Sequence, residues 1–295
     1  MSLEDLGLID YEVIDKTLLI DGDIIIYRPC CVFNEDDDYS RKMIQKLINR
    51  KIDELMEAAG CNKYIMFVTT KFNFRDQLVD DYKANRSTVE RPVNLPWAKK
   101  WATEELNTEF VKGLEADDLL GIYMADDTVL WSLDKDLRQI PGEHLDDDTQ
   151  QIKLITDEGE LINRGKKVYF TGLLGFYFQC LTGDSTDYIV GCGKRLPAVY
   201  KSGAKKGQEY IKRKGIGSSA AMKLLANAKD PLAVVIKEYK TLHGDDWQAH
   251  LETQANLLWM VREIDGNKIK RWTYDGRDEW FDLVKGVVIN DQETT

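Results

Sequence analysis

Residues Thr17–Tyr27 read TLLIDGDIIIY. The apolar run Leu18-Leu19-Ile20 breaks off at Asp21-Gly22-Asp23, the pattern of a buried strand that ends in carboxylates and a glycine turn. Two further runs have the same character, YIMFV at Tyr64–Val68 and VLWSL at Val129–Leu133, and the second of these also ends in acids, Asp134 and Asp136. Between the first two, Ile44, Leu47, Ile48, Ile52, Leu55, Met56 and Ala59 recur at helical spacing, which predicts an amphipathic helix over 39–59 stopped by Gly60. Strand, helix and strand in short succession predict the α/β class with a mainly parallel central sheet.

Outward from that core the chain changes character twice. Residues 71–112 are polar and aromatic, broken by Pro92 and Pro96, with Trp97, Trp101 and Leu106 spaced to line one helix. A helix is expected over Leu114–Met124, opened by Glu115, Asp117 and Asp118, and IKLITDEGELI at Ile152–Ile162 reads as a hairpin about its Asp-Glu-Gly turn. From Val168 to Leu181 the chain is strongly apolar and reads as a buried helix. The remainder reads as helical, with Leu232, Val235, Ile236 and Tyr239 on one face and Leu251, Leu257, Leu258 and Val261 in another helix. An α/β half over 1–163 and a mostly helical half over 164–295 follow from this division.

Composition narrows the function classes. The chain has 295 residues, ample for a buried core, and its 43% hydrophobic and 31% charged residues fit a globular protein rather than a disordered or fibrous one. No apolar run approaches a membrane span, and the acidic start MSLEDLGLIDYEVID lacks the basic region of a secretory signal. Five cysteines without a CxxC pair fit a reduced, cytoplasmic setting. Three histidines, His144, His243 and His250, form no zinc pattern and supply little acid–base chemistry. Metal chemistry, if present, therefore falls to carboxylates and to Mg²⁺ or Mn²⁺.

The acids fall where such a site needs them. Asp21 and the Asp134/Asp136 pair follow buried strands, and the carboxyl ends of parallel strands share one ligand-binding edge. Glu115, Asp117 and Asp118 open the helix just before the third strand. Asp184 and Asp187, three apart, would share a face if their turn is helical. Singly, such acids serve as helix caps; four clusters at equivalent places predict convergence. Eight gathered carboxylates repel one another unless cations offset them, and two Mg²⁺ ions do so while creating a centre for phosphodiester hydrolysis.

The strings LLIDGD, DDYKANR, GLEADD, SLDKD and GDSTD, in that order, resemble the 5′→3′ exonuclease / flap endonuclease family. YKANR (Tyr82–Arg86) and GLEADDLLG carry much of the likeness, and LVDDYKANR with KSGAKKGQE resembles the exonucleases of short-tailed lytic phages. The resemblance spans about Thr17–Leu225. It implies a PIN-like 5′-nuclease fold with a helical arch near 71–112. It also implies a Mg²⁺-dependent enzyme, with Mn²⁺ as a substitute, that removes nucleotides or short flaps from 5′ ends of duplex DNA. Many members also degrade the RNA of RNA–DNA hybrids, and phages use them in primer removal, recombination and host DNA breakdown.

By position, the resemblance makes Asp21, Glu115, Asp117, Asp118, Asp134, Asp136, Asp184 and Asp187 the metal-ligand set. The first ion would draw mainly on acids up to Asp136, the second on Asp134 and Asp136 with Asp184 and Asp187. Lys83 and Arg86 match the basic pair of the arch, where a point charge and a planar fork steady phosphate charge. Tyr82 is a candidate for stacking on the terminal base and equally for a buried structural tyrosine. One departure stands out: Thr69 and Thr70 occupy the place of an Asp the family usually carries after the second strand, leaving Asp23 or Asp76 to substitute.

After Asp187 come two glycine elements, Gly191-Cys192-Gly193 and Gly215-Ile216-Gly217, the second leading into Ser218, Ser219 and a helix. Such elements let a phosphate approach the backbone. In the family a helix–turn–helix element here grips the duplex, often with a bound K⁺. In this chain an insertion at 194–214 splits it. The insertion carries Lys194, Arg195, Lys201, Lys205, Lys206, Lys212, Arg213 and Lys214 against Glu209 alone, within a protein of net charge −11, and reads as a phosphate track. The expected partner is double-stranded DNA with 5′ ends or flaps, bound by a monomer. A PIN-like ribonuclease and a non-catalytic structure-specific DNA-binding protein stay open as alternatives.

Overall fold

The computed structural model of the protein describes residues 15–86, 90–165 and 167–283; the acidic start discussed above falls outside them. The chain begins with β1 (Thr17–Asp21), α1 (Gly22–Val32), α2 (Asp38–Ala59) and β2 (Lys63–Phe67). Helix α2 keeps Ile44, Ile48, Ile52 and Leu55 on its buried face, and Gly60 closes it in the left-handed conformation that glycine adopts freely. Then come α3 (Leu95–Glu105), β3 (Thr108–Glu109), α4 (Ala116–Tyr123), β4 (Thr128–Trp131), β5 (Gly142–Asp146) and β6 (Gln151–Ile155).

These strands form one six-stranded sheet in the order β3-β2-β1-β4-β5-β6. Every pairing is parallel except β5 with β6. Alternation along β1 divides the core in two. Leu18 and Ile20 face α1, α2 and α3 with Met66, Val129 and Trp131, while Leu19 faces the other side with Phe67, Leu130 and the α4 residues Leu119 and Leu120. Gly22 is obligatory where β1 turns into α1: a Cβ there would lie 2.6 Å from the carbonyl oxygen of Phe67.

The rest comprises β7 (Leu161–Arg164), β8 (Lys167–Phe170), α5 (Gly172–Thr182), β9 (Gly193–Val199), β10 (Glu209–Gly215), α6 (Ser218–Leu225), α7 (Pro231–His243) and α8 (Trp247–Leu258). A small sheet of β11 (Ile264–Asp265), β12 (Lys268–Lys270) and β13 (Trp280–Asp282) follows. Helices α5–α8 enclose a third core around Phe176, Leu181, Val235, Tyr239 and Leu251.

Several expectations need correction. The two arms of Ile152–Ile162 do not pair with each other: β6 pairs with β5, and β7 with β8, so each arm finds its partner outside its own turn. The β7–β8 hairpin thus spans the boundary expected at 163. Val168–Phe170 is strand, and the helix begins only at Gly172. Helix α8 stops at Leu258, and Val261 packs instead into the core beside α4. The basic insertion, expected to split the two glycine elements, does so as an antiparallel β-ribbon, β9–β10, between α5 and α6. Among the described residues, no helix is long and apolar enough to cross a membrane.

Candidate active site

The carboxyl ends of β1 and β4, the first turn of α4 and the loop after α5 face one cleft. Its lining includes Glu115, Asp117, Asp134, Asp136 and Asp187, together with Arg75 and Tyr82. Asp21 reaches the same group through Ser132, whose hydroxyl donates to Asp21 Oδ2 (2.6 Å) and accepts from the amide of Asp134 (2.9 Å). Asp134 Oδ1 in turn accepts from the amide of Asp136 (2.8 Å). Asp136 Oδ1 accepts from Gln179 of α5 (2.7 Å) and from Lys135 Nζ (2.9 Å). The same ammonium donates to Asp184.

Asp184 and Asp187 do not share a helical face. The amide and carbonyl of Asp184 both pair with Ile189 across a tight loop, so Asp184 turns to Lys135 and Asp187 to Lys83 and Arg86. Lys83, at φ +53°, takes the left-handed conformation rare for a side-chain residue, and its amide donates to the carbonyl of Asp187 (3.1 Å). Asn85 adds donations to the carbonyls of Ser185 and Thr186. The 82–86 segment is thereby docked on the Asp184–Asp187 loop. Lys83 Nζ donates to Glu115, with Asp187 Oδ2 3.6 Å away, and Arg86 donates to Asp187.

Charge balance differs across the cleft. Burial, reinforced by Asp23 and Asp134, pushes Asp21 up to about 7. Burial with the charge of Asp134 does the same to Asp136, and burial with Asp21 and Asp134 raises Asp117 well above the carboxylate range. On the opposite side burial is outweighed: Lys83 and Arg75 hold Glu115 low, and Lys135 holds Asp184 low. Among the described residues, no three acidic, histidine or cysteine side chains stand as a ready ligand group, since lysine and arginine draw Glu115, Asp136, Asp184 and Asp187 toward themselves. The donor set is nonetheless hard oxygen, and among the described residues Asp21 and Asp117 have no lysine or arginine at salt-bridge distance, which fits a divalent cation.

Other expected site residues stand elsewhere. Asp118 is fully buried and turned away from the cleft: its two oxygens accept a fork from Arg75 Nη1 (2.7 Å) and Nη2 (2.8 Å) and backbone amides of Glu115 and Val261. Tyr82 is buried, and its hydroxyl donates to Glu115 Oε2 (2.9 Å), so it is not a stacking platform. Thr69 Oγ1 accepts from the amide of Ala116 and so caps α4. Asp23 pairs with Lys99 (2.6 Å) and accepts from the amide of Thr69. Asp76 is exposed but close enough to Glu115 to feel its charge.

The eight basic residues of the ribbon divide by role. Lys194, Lys201, Lys205, Lys206, Lys212 and Lys214 are exposed, as are Gly215, Gly217, Ser218 and Ser219. Arg195 and Arg213 are half-buried and turned to the protein. Arg195 donates to Asp81 and to the carbonyl of Tyr188, tying the ribbon to the segment that carries Lys83. The residues that sequence reading missed are Arg75, Ser132, Lys135 and Gln179. Lys135 lies inside the quoted string SLDKD, where a lysine between two acids was the available signal; Arg75 has no local signal, because its partners come from 115–118 and 257–259.

A family model of the 5′-3′ exonuclease N-terminal, resolvase-like domain matches residues 16–167, more than half of the chain. The chain belongs to the 5′-3′ exonuclease family. A 5′-3′ exonuclease of Buchnera aphidicola subsp. Schizaphis graminum is 26% identical over 201 residues, covering 60% of this chain and 65% of that protein. Two solved structures are also similar. A mutant T5 5′-exonuclease is 16% identical, with 82% of this chain and 84% of that one covered at TM-score 0.47. A bacteriophage T5 flap endonuclease, in a pseudo-enzyme–product complex with DNA and metal ions, is 15% identical, with 82% and 85% covered at TM-score 0.48.

Proposed function

We propose that the protein is a divalent-metal-dependent 5′→3′ exonuclease of duplex DNA ends, acting also on 5′ flaps and on RNA–DNA hybrids. The observation that carries the reading is the one cleft in which Glu115, Asp117, Asp134, Asp136 and Asp187 meet beneath Lys83 and Arg86. Asp21, Glu115, Asp117 and Asp134 would hold a first Mg²⁺ or Mn²⁺, and Asp134, Asp136, Asp184 and Asp187 a second. Bound there, the ions would offset the repulsion among the acids, supply a water of lowered pKa and balance charge on the phosphodiester. Asp118 is left out of the ligand set, because Arg75 and two amides already use both its oxygens.

The protein's own groups do the positioning. Lys83 and Arg86 are held by Glu115 and Asp187, and a phosphate entering the cleft would draw both cations toward its oxygens, where charge grows in the transition state. The exposed lysines of β9–β10 would follow the duplex backbone without reading sequence. The setting is the cytoplasm of a phage-infected bacterium, in primer removal, recombination and host DNA breakdown, with the protein acting as a monomer. The described cysteines are all free thiols, in keeping with a reducing compartment.

The test is a 5′-labelled and a 3′-labelled duplex, a 5′ flap and an RNA–DNA hybrid, each with Mg²⁺ or with EDTA. Mg²⁺-dependent product from the 5′ end supports the reading. The capping of α4 by Thr69 and the pairing of Asp23 with Lys99 favour a second reading, a structure-specific DNA-binding protein without cleavage. That reading is supported by duplex binding with no product in any metal.

A further inference from the structure

The two glycine elements meet around a single guanidinium. Gly193 and Gly215 are paired across the base of the ribbon, and a Cβ on Gly215 would lie 2.5 Å from the carbonyl oxygen of Cys192 and 3.1 Å from Arg213 Nη2. A Cβ on Gly193 would lie 3.4 Å from Arg213 Cζ. Into this cradle Arg213 folds back from β10. Its Nε donates to the carbonyl of Val190 (2.7 Å), Nη1 to that of Ile216 (3.0 Å) and Nη2 to that of Leu181 (3.0 Å). The three carbonyls come from three places: the last turn of α5, the loop after it, and the lead into α6.

The last turn of a helix leaves carbonyls without intrahelical partners, and these carry partial negative charge. In α5 three of these carbonyls, those of Gln179, Cys180 and Leu181, have donors beyond the end of the helix. Gln179 is met by the amide of Gly183, Cys180 by the amide of Cys192 and the hydroxyl of Tyr239, and Leu181 by Arg213. Among the described residues, Arg213 has no carboxylate at salt-bridge distance. Its positive charge is met by carbonyl dipoles alone, the way a monovalent ion would be held. A second cation at these carbonyls would face a fixed positive charge at hydrogen-bond distance, so the K⁺ expected by resemblance does not fit here.

We propose that Arg213 is a tethered cation: it fills the carbonyl site between α5 and α6 in place of a dissociable monovalent ion, so this junction is assembled without K⁺. The proposal rests on the reading that the junction holds duplex only for its DNA arm; its thermal arm stands apart from that reading.

The test compares the full chain in KCl, LiCl and tetramethylammonium chloride at equal ionic strength, with EDTA present. Thermal midpoint and affinity for a short labelled duplex are both measured. Midpoints that agree in all three salts, with affinities within about twofold, support the proposal. A midpoint several degrees higher in KCl, or affinity about tenfold tighter in KCl than in tetramethylammonium, overturns it. Absence of duplex binding in every salt overturns the DNA reading and leaves the thermal comparison to decide on Arg213. In Arg213→Ala the midpoint should fall and recover partly with millimolar guanidinium, and an unchanged midpoint would also overturn the proposal. If that variant does not fold, the comparison on the unaltered chain still decides.

Discussion

The ammonium of Lys135 donates to the carboxylate of Asp184, bridging from the loop after β4 to the loop after α5. The same ammonium is 2.9 Å from Asp136 Oδ1, so one lysine sits between two acids that are proposed to hold the second divalent ion. On that proposal it would compete with the ion for both carboxylates. Replacing Lys135 with Met should therefore tighten the weaker Mn²⁺ site. Because the lysine is half exposed, water screens much of its charge, and the gain should be roughly five- to tenfold, about 1 kcal/mol. Calorimetric titration of Mn²⁺ into both proteins measures it; equal affinities would show that Lys135 does not contest the ion.

Two neighbouring acids on α4 should behave in opposite ways. Asp118 is locked by the buried Arg75 fork, so Asp118→Ala strands a buried guanidinium and should cost roughly 3 kcal/mol or more of stability. Asp117 is raised by burial and by Asp21 and Asp134, so Asp117→Asn relieves repulsion and should leave the metal-free protein as stable or more so. Urea denaturation of the two variants compares them. Equal destabilisation would contradict the division between a structural and a ligand acid.

Lys83 should matter for rate more than for folding. Its ammonium is part-exposed and lies beside Glu115 at the cleft, where a phosphate would displace it. Lys83→Ala should lower single-turnover cleavage by about 10²-fold or more while urea denaturation shows an intact fold. A rate within a few-fold of the unaltered chain would remove Lys83 from the transition-state role.

His144, on β5, gives a pH signature independent of the cleft. Burial lowers it to about 4, and its Nε2 lies 2.8 Å from the carbonyl of Ile140. The unfolded histidine titrates near 6.5, so between about 6.5 and about 4 the unfolded chain binds a proton that the folded one refuses. Stability should fall as pH falls through that window, by up to about 3 kcal/mol from this residue. His144→Gln should flatten that part of the stability–pH curve. An imidazole titration by NMR with a midpoint near 6.5 would contradict the assignment.

Local pattern carried most of the catalytic half. Leu18 to Asp21 and Val129 to Trp131 are strands because alternate residues are buried on two faces, and their acids lie at one edge because parallel strands end together. Helix α2 and its glycine stop follow from spacing alone. What was not legible depends on partners distant in the chain. Ile152–Ile155 pairs with β5 rather than with its own turn, a choice made by tertiary register. Arg213 and Lys214 are neighbours in one basic run, yet one folds into carbonyls and the other faces solvent, since strand alternation decides which side each takes. Asp117 and Asp118 are equally adjacent, and only the position of Arg75, from a different segment, separates their roles.

The proposed function requires that acids from four segments form one cation-dependent cleft that cuts DNA from the 5′ end. The most direct measurement is Mg²⁺-dependent release of label from a 5′-labelled duplex by the unaltered chain and by Asp134→Asn. Short 5′-labelled products are expected from the former, none with EDTA, and a loss of nearly all product in the variant with its fold retained. Product that is equal in the two proteins, or that forms equally in EDTA, would contradict it.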